Sequence, residues 1–234
     1  MAIVAMGCRS NDSIDDVDVN EDKLYGDYWA EYDANTNISS FVAQLRVGGS
    51  TGTTVRLTGG RMTVDGRPMS EHYGDSSFFN ARGTYYFLKQ SGIDLQAYYE
   101  LAWDRSDGGR VVNQIEMPGP VEIVLPEHDE RIPRDDVVIG FEGRELTGRE
   151  RVTVGLTAEH PEGRGGRRTI TRSVTAGNEV VFTRLEMQQF LPDSVVTVRL
   201  AVKSKVSPDE GHQAEGGRIS IRYLAESANF ILGN

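Results

Sequence analysis

From residue 28 onward, apolar and polar residues alternate with a period of two, and no stretch of helical period runs beyond a couple of turns. Successive side chains of an extended strand point to opposite faces, so alternation of this kind buries one face and wets the other. Tyr28, Ala30 and Tyr32 share one face of a first strand, and further strands are predicted over 41–47, 53–58, 61–64, 84–89, 95–104 and 110–117. Asp65-Gly66 before Arg67-Pro68 marks a tight turn, and Ser106-Asp107-Gly108-Gly109 closes a hairpin. Met117-Pro118-Gly119-Pro120 then breaks the pattern, because proline cannot donate to a sheet ladder.

A second run of strands is predicted over 121–125, 137–141, 151–159, 167–174, 179–182, 194–206 and 218–225, with one helical turn inside TRLEMQQFL, 183–191. Two runs in 234 residues give two domains of about 100 residues each, large enough for each to bury a core. The fold is therefore expected to be all-β, two tandem antiparallel β-sandwich domains at 28–118 and 119–234, preceded by residues 8–27 as a flexible acidic tether. In that segment NDSIDDVDVNEDKLYGD is poor in aliphatics and self-repelling. Asp16, Asp18, Asn20 and Asp22 alternate like the start of a calcium loop, but Glu21 stands where the turn glycine belongs and Asp27 where a glutamate belongs. A solvated linker is the default reading, and no metal or cofactor is expected.

The net charge of −10 argues against nucleic acid as a partner, since phosphate binding needs a basic surface. The single cysteine, Cys8, excludes an intrachain disulfide. It ends the run Met1-Ala2-Ile3-Val4-Ala5-Met6-Gly7, with polar Arg9-Ser10-Asn11 next. This resembles the end of a bacterial lipoprotein signal peptide, although Ala5 stands where leucine is preferred and no basic residue precedes the run. The resemblance implies cleavage after Gly7, residues 1–7 as a signal-peptide remnant, and acylation of Cys8, which anchors the chain to a membrane. Arg9 in place of the aspartate of inner-membrane retention implies the outer membrane.

The strand count and spacing resemble the immunoglobulin or fibronectin type III architecture, without the Cys, Trp, Cys hallmark of true immunoglobulin domains. The chain is also similar to bacterial lipoproteins built from tandem β-sandwich repeats, in which a segment like VGGSTGTTV, 47–55, recurs. That similarity implies an envelope location and no activity.

Catalytic chemistry finds little support. His72, His128, His160 and His212 are far apart in sequence, and no serine-hydrolase elbow, zinc-protease motif or phosphate loop occurs. The chain is read as non-enzymatic, with an unrecognised hydrolase the least favoured option. Acidic Glu127-His128-Asp129-Glu130 and Asp135-Asp136, after the boundary, are read as solvated loops or calcium ligands between domains. Arg164, Arg167, Arg168 and Arg172 form a basic island, read as edge-strand protection or as a dock for an envelope phosphate. Tyr85-Tyr86, Tyr98-Tyr99 and Trp103 place aromatic residues on both strand faces, with Tyr86, Tyr99 and Trp103 as candidate ligand-binding residues for a glycan or an envelope protein.

Overall fold

The computed structural model describes residues 13–76, 81–93, 98–143, 145–160, 162–163, 166–211 and 215–233. In chain order the strands of the first half are β1 (Ser13–Asp15), β2 (Leu24–Asp33), β3 (Ile38–Val47), β4 (Thr53–Arg56), β5 (Arg61–Val64), β6 (Arg67–Pro68), β7 (Ser70–Ser76), β8 (Ala81–Ser91), β9 (Tyr99–Asp104) and β10 (Arg110–Ile115). The second half contributes β11 (Val121–Leu125), β12 (Arg131–Ile132), β13 (Val137–Gly143), β14 (Glu150–Glu159), β15 (Arg168–Val174), β16 (Glu179–Phe182), β17 (Val195–Val206), β18 (Gly217–Leu224) and β19 (Ala228–Leu232). The one α-helix among the described residues, α1 (Arg184–Met187), falls inside the predicted helical turn, and two short 3-10 helices, Asp16–Asp18 and Glu21–Lys23, precede β2. Glu186 fixes its start by accepting hydrogen bonds from the Thr183 N–H at 2.7 Å and the Thr183 hydroxyl at 2.9 Å.

The chain is all-β. One twelve-stranded sheet runs β1-β4-β3-β2-β18-β17-β14-β15, with β7 and β8 joined to β3, and β19 and β12 joined to β17. A four-stranded sheet, β10-β9-β5-β6, covers its first half, and a three-stranded sheet, β11-β13-β16, covers its second. Phe41 of the long sheet meets Tyr99 of the four-stranded sheet with ring centroids 4.8 Å apart. Val154, Leu156, Val198 and Leu200 share a core with Ile139, Phe141 and Phe182 of the three-stranded sheet. Alternation explains this directly: the even-numbered residues of β14 and those from Val196 to Val202 on β17 are buried, while Arg151, Glu159, Val195, Arg199, Lys203 and Lys205 between and beside them are exposed.

The two sandwiches share a sheet. The edge of the first is β2, and it pairs in parallel with β18 of the second, from Gly26 against Gly217 to Asp33 against Leu224. Two carboxylates of β2 lie in this seam. Asp27 takes both nitrogens of the Arg218 fork at 2.9 and 2.6 Å, and Glu31 accepts from Arg222.

The acidic segment before β2 is not a free tether over the residues described. Most of its carboxylates find partners across the fold: Asp15 pairs with Arg56 at 2.7 Å, Asp22 with Arg105 at 2.7 Å, and Glu21 accepts from the Ser106 N–H at 3.1 Å. Asp16 is buried and accepts from the N–H groups of Thr58, Gly59 and Gly60 and from the Thr58 hydroxyl. A Cβ on Gly60 would lie 2.6 Å from the Asp104 carbonyl oxygen, so glycine is what lets this loop close over the carboxylate. The self-repulsion assumed for the segment is relieved because Asp15, Asp16, Glu21 and Asp22 each have a donor across the fold, while Asp18 faces solvent. Calcium-loop geometry is absent too, since Asn20 caps the Asp22 N–H at 3.0 Å and Asp16 points into the 58–60 loop.

Candidate functional site

The outer face of the long sheet, opposite the core, carries its polar side chains. Register aligns them into a row across four strands: Arg151 of β14 faces Lys203 of β17, Lys203 faces Arg222 of β18, and Arg222 faces Glu31 of β2. One step along, Lys205 faces Ser220, which faces Trp29, and beyond them Arg218 faces Asp27. Neighbouring strands lie about 4.8 Å apart, so one row places three cations within about 10 Å.

These residues line a cleft of about 940 Å³ that crosses the seam between the sandwiches. Seven cationic side chains border it, Arg46, Arg149, Arg151, Lys203, Lys205, Arg218 and Arg222, against the two carboxylates Asp27 and Glu31. Both carboxylates are spent on guanidinium groups, Asp27 on Arg218 at 2.6 Å and Glu31 on Arg222. Among the described residues, no carboxylate pairs with Arg149, Arg151, Lys203 or Lys205. Elsewhere the same acidic chain matches Arg56, Arg61, Arg105, Arg110 and Arg131 with carboxylates.

The cleft floor is held stiffly. The Arg218 guanidinium lies 5.5 Å from the Trp29 ring centre, and the Thr153 and Ser173 hydroxyls are 3.1 Å apart. Arg149 sits on a turn closed by Glu150, whose carboxylate accepts from the Thr147 N–H at 2.7 Å and the Thr147 hydroxyl at 3.1 Å. Arg46 donates to the Gly52 carbonyl at 2.9 Å and to Gln44, while its Nε is buried without a hydrogen-bond partner among the described residues.

Like charges crowd here, and the titration of the site reflects it. Partial burial and then the neighbouring Arg222 charge hold the Lys203 ammonium below the usual lysine range. Burial lowers Arg46 from its ordinary value, with the Arg218 charge adding to the effect. Burial raises Asp27 and Glu31, an effect only partly offset by the arginines they hold. A site with this field attracts anions. Its hydroxyls, Ser50, Thr153, Ser173, Ser204 and Ser220, add neutral hydrogen-bonding capacity.

None of the candidate ligand-binding residues Tyr86, Tyr99 and Trp103 lies in this cleft. Tyr86, Tyr99 and Trp103 are core residues, only 4%, 3% and 2% exposed, and so do not form a ligand face. Alternation says that one tyrosine of each pair faces outward, but the phase depends on register. Tyr86 pairs with Ala43, on the same buried face as Phe41 and Leu45, so the outward members are Tyr85 and Tyr98, the latter 57% exposed. The Tyr86 hydroxyl accepts from the Leu57 N–H at 2.6 Å, a structural role. Trp103 packs under the Arg105 guanidinium, 5.8 Å from its ring centre.

The basic island also dissolves. Arg167 pairs with Glu159 at 3.3 Å, Arg172 pairs with Glu186 at 2.9 Å, and Arg168 donates to the Gln189 carbonyl at 3.2 Å. Arg164 and Cys8 lie outside the described residues, as does His212. The acidic loops after the boundary use their carboxylates locally: Glu130 accepts from the Glu127 N–H, Asp129 holds His128 at 3.0 Å, and Asp136 caps the Arg184 N–H at 2.7 Å. Among the described residues, no group of three or more His, Cys, Asp or Glu side chains is placed to hold a metal ion. The cleft did have a sequence signal, the same-face cations of KSKV on β17, two residues apart, and of RISIR on β18, four apart. Recognising it required knowing that β14, β17, β18 and β2 are neighbours.

No protein-family model and no curated protein matches the chain. Among solved structures it is similar to the IG1 and IG2 domains of DIP-gamma, with 14% identity over 90% of this chain and 95% of that one, at a TM-score of 0.23. It is also similar to the FN1–FN3 domains of chicken CNTN1, with 10% identity over 88% of this chain and 65% of that one, at a TM-score of 0.33. A third likeness is to Dpr11 IG1 bound to the IG domains of DIP-gamma, with 12% identity over 90% and 96% of the two chains and a TM-score of 0.21. At such TM-scores and identities these likenesses transfer no function to this chain.

Proposed function

We propose that this protein is a non-catalytic binding module of the bacterial envelope, tethered by a lipid on Cys8, that captures an anionic partner in the cleft over β14, β17, β18 and β2. The observation that carries the reading is the set of four cations, Arg149, Arg151, Lys203 and Lys205, gathered on one face of a chain of net charge −10 with no direct ion pair to a carboxylate among the described residues. Leaving like charges together on one face opposes folding, and an incoming anion relieves that repulsion.

Tripolyphosphate is a suitable probe because it is small and multiply charged. Its affinity is expected to fall steeply as sodium chloride rises from 20 to 200 mM, since exposed charges are screened within about a Debye length of 8 to 10 Å. Arg151→Glu with Lys203→Glu is expected to weaken it at least tenfold in calorimetric titration. Arg167→Glu, at a cation already paired with Glu159, serves as the control and leaves affinity unchanged. Equal affinity in the double variant and the parent would remove the cleft as the binding face.

The lipid anchor rests on the apolar run ending in Gly7-Cys8 and the polar residues after it. Mass spectrometry of the amino-terminal peptide from a bacterial host is expected to find a diacylglyceryl group on Cys8, and none in Cys8→Ser. A free Cys8 thiol with Met1 still attached would sink this part of the proposal.

A further inference from the structure

Lys203 has a cation directly opposite it on both neighbouring strands, Arg151 of β14 on one side and Arg222 of β18 on the other. One step beyond the pairing of Glu150 with Ser204, Arg149 comes level with Lys205. The Cβ atoms of Arg149, Arg151, Lys203 and Lys205 therefore mark a rectangle of about 5 by 7 Å, and like charges opposite one another weaken a sheet. Resting on the anion-binding reading above, we infer that this rectangle holds the phosphoryl group of a phosphate monoester, with the rest of the ester lying in the cleft toward Ser220 and Trp29.

The patch is bounded by carboxylates. Glu31 lies two strands from Lys203 in the same row, and Glu116, Glu150 and Asp209 line the adjoining cavity that Arg149 and Lys205 also border. An extended polyanion meets those charges at either end, so the ligand's charge is compact. It is also more than single. Arg149, Arg151, Lys203 and Lys205 have no carboxylate ion pair among the described residues, and a carboxylate or a sulfate monoester brings them one negative charge where a phosphate monoester brings nearly two at neutral pH. Finally, the four cations stand at separate corners, so their donors approach from several directions. A carboxylate offers two oxygens in one plane, whereas a phosphoryl group offers three that diverge, and it suits guanidinium forks and ammonium groups alike. The cleft of about 940 Å³ greatly exceeds a phosphoryl group, which leaves room for the organic part over Ser220 and the Trp29 that faces it.

The test titrates the full chain, carrying Cys8→Ser so that no lipid anchor intervenes, with phenyl phosphate, phenyl sulfate and benzoate, which share one ring and differ in the anionic group. At pH 8 phenyl phosphate is expected to bind at least tenfold tighter than either of the others, and citrate no tighter than phenyl phosphate. At pH 5, below the second phosphate pKa of about 6, the phosphate carries one charge as the sulfate does, and its advantage is expected to fall below threefold. The protonation of Lys203, Arg46, Asp27 and Glu31 is shifted in the cleft, and Arg149, Arg151, Lys205, Arg218 and Arg222 add their charges. All of them act alike on two monoanions, so the ratio reports the ligand's own titration. Arg151→Gln and Lys205→Gln, each shown by its thermal melt to be folded, are expected to lower phenyl phosphate affinity at least fivefold. Arg199→Gln, on the same face of β17 but outside the cleft, is expected to leave it unchanged. Co-sedimentation with phosphatidylcholine vesicles containing phosphatidic acid, a monoester, but not with those containing phosphatidylglycerol, a diester, assigns the phosphoryl group to a lipid headgroup. Phenyl phosphate binding without co-sedimentation assigns it to a soluble ester, and the inference holds in both cases. Tripolyphosphate binding with phenyl phosphate no tighter than phenyl sulfate at pH 8, citrate binding tighter than phenyl phosphate, equal capture by both vesicles, or Arg151→Gln and Lys205→Gln binding as tightly as the parent would overturn the inference while leaving the anion site standing. If tripolyphosphate fails to bind as well, the broader reading falls with it.

Discussion

Replacing Asp16 by alanine is expected to destabilise the protein by about 3 to 5 kcal/mol, read as the loss of free energy in urea or guanidinium unfolding. The carboxylate is fully buried and gathers donors from Thr58, Gly59 and Gly60 at 2.8 to 3.1 Å. Removing it strands three N–H groups in a place where the chain closes too tightly for easy replacement, and hydrogen bonds to a charged acceptor contribute about 1.5 to 3 kcal/mol each before relaxation. The loss corresponds to a drop in Tm of roughly 10 °C for a chain of this size. Asp18→Ala, two positions away and exposed, is expected to change stability by less than about 0.5 kcal/mol. The pH dependence has a definite sign. Burial alone raises the Asp16 pKa, but the donors from Thr58, Gly59 and Gly60 outweigh it and hold the group below its ordinary value of 3.8. Its contribution is therefore complete above pH 3.8 and is lost as pH falls through the lowered pKa, so the parent and Asp16→Ala converge only in that acidic interval. A melt of Asp16→Ala indistinguishable from the parent at pH 7 would show that the segment before β2 is not clasped through this carboxylate.

The second large effect is expected at the seam. Arg222→Leu leaves Glu31, whose side chain is only 4% exposed, without its counter-charge, and the protein is expected to lose about 2 to 3 kcal/mol at pH 7. The figure is below that for a fully enclosed pair because Arg222 is itself 35% exposed. Glu31→Leu combined with Arg222→Leu is expected to recover most of the loss, since an apolar pair leaves no charge desolvated. Here the shift of the carboxyl group is opposite to that of Asp16, although the penalty again disappears in acid. Burial raises the Glu31 pKa above 4.5 even with Arg222 in place, and losing Arg222 raises it further. The penalty of Arg222→Leu is thus small below pH 4.5, where Glu31 is protonated in both folded and unfolded chains, and grows as pH rises through the raised pKa. A penalty that stayed constant from pH 4 to pH 8 would mean that Arg222 stabilises the fold by packing alone.

Strand alternation made most of the architecture legible, because burial on one face is all that it requires. The hairpin at Asp65-Gly66 is a case in point: both residues adopt positive φ, 48° and 73°, as the dipeptide predicts. Segments that lack alternation went unread. SEHYGDS of β7 has only one large apolar residue, Tyr73, and that is exposed, so the strand exists through pairing with β8. Ser13–Asp15 likewise becomes a strand only because β4 is beside it, in parallel. The candidate site was hidden for the same reason. Period two states that Lys203 and Lys205 share a face, but only the order β2-β18-β17-β14 brings Arg151, Arg218 and Arg222 to that face as well. Tyr86 and Tyr99 show the converse, a correct alternation with the opposite phase.

The parallel seam also fixes an order of assembly during synthesis. Asp27 and Arg218 are 191 positions apart, so the first long strand of the chain waits for almost the last one before its flank is covered. Contacts of such separation form late and slowly, and an uncovered strand flank is a template for pairing with other chains. During that interval β2 carries Asp27 and Glu31 on its polar face, and charged side chains on an open strand discourage a foreign strand from docking. The two carboxylates that later grip Arg218 and Arg222 thus guard the nascent chain against aggregation until its own partner strand emerges.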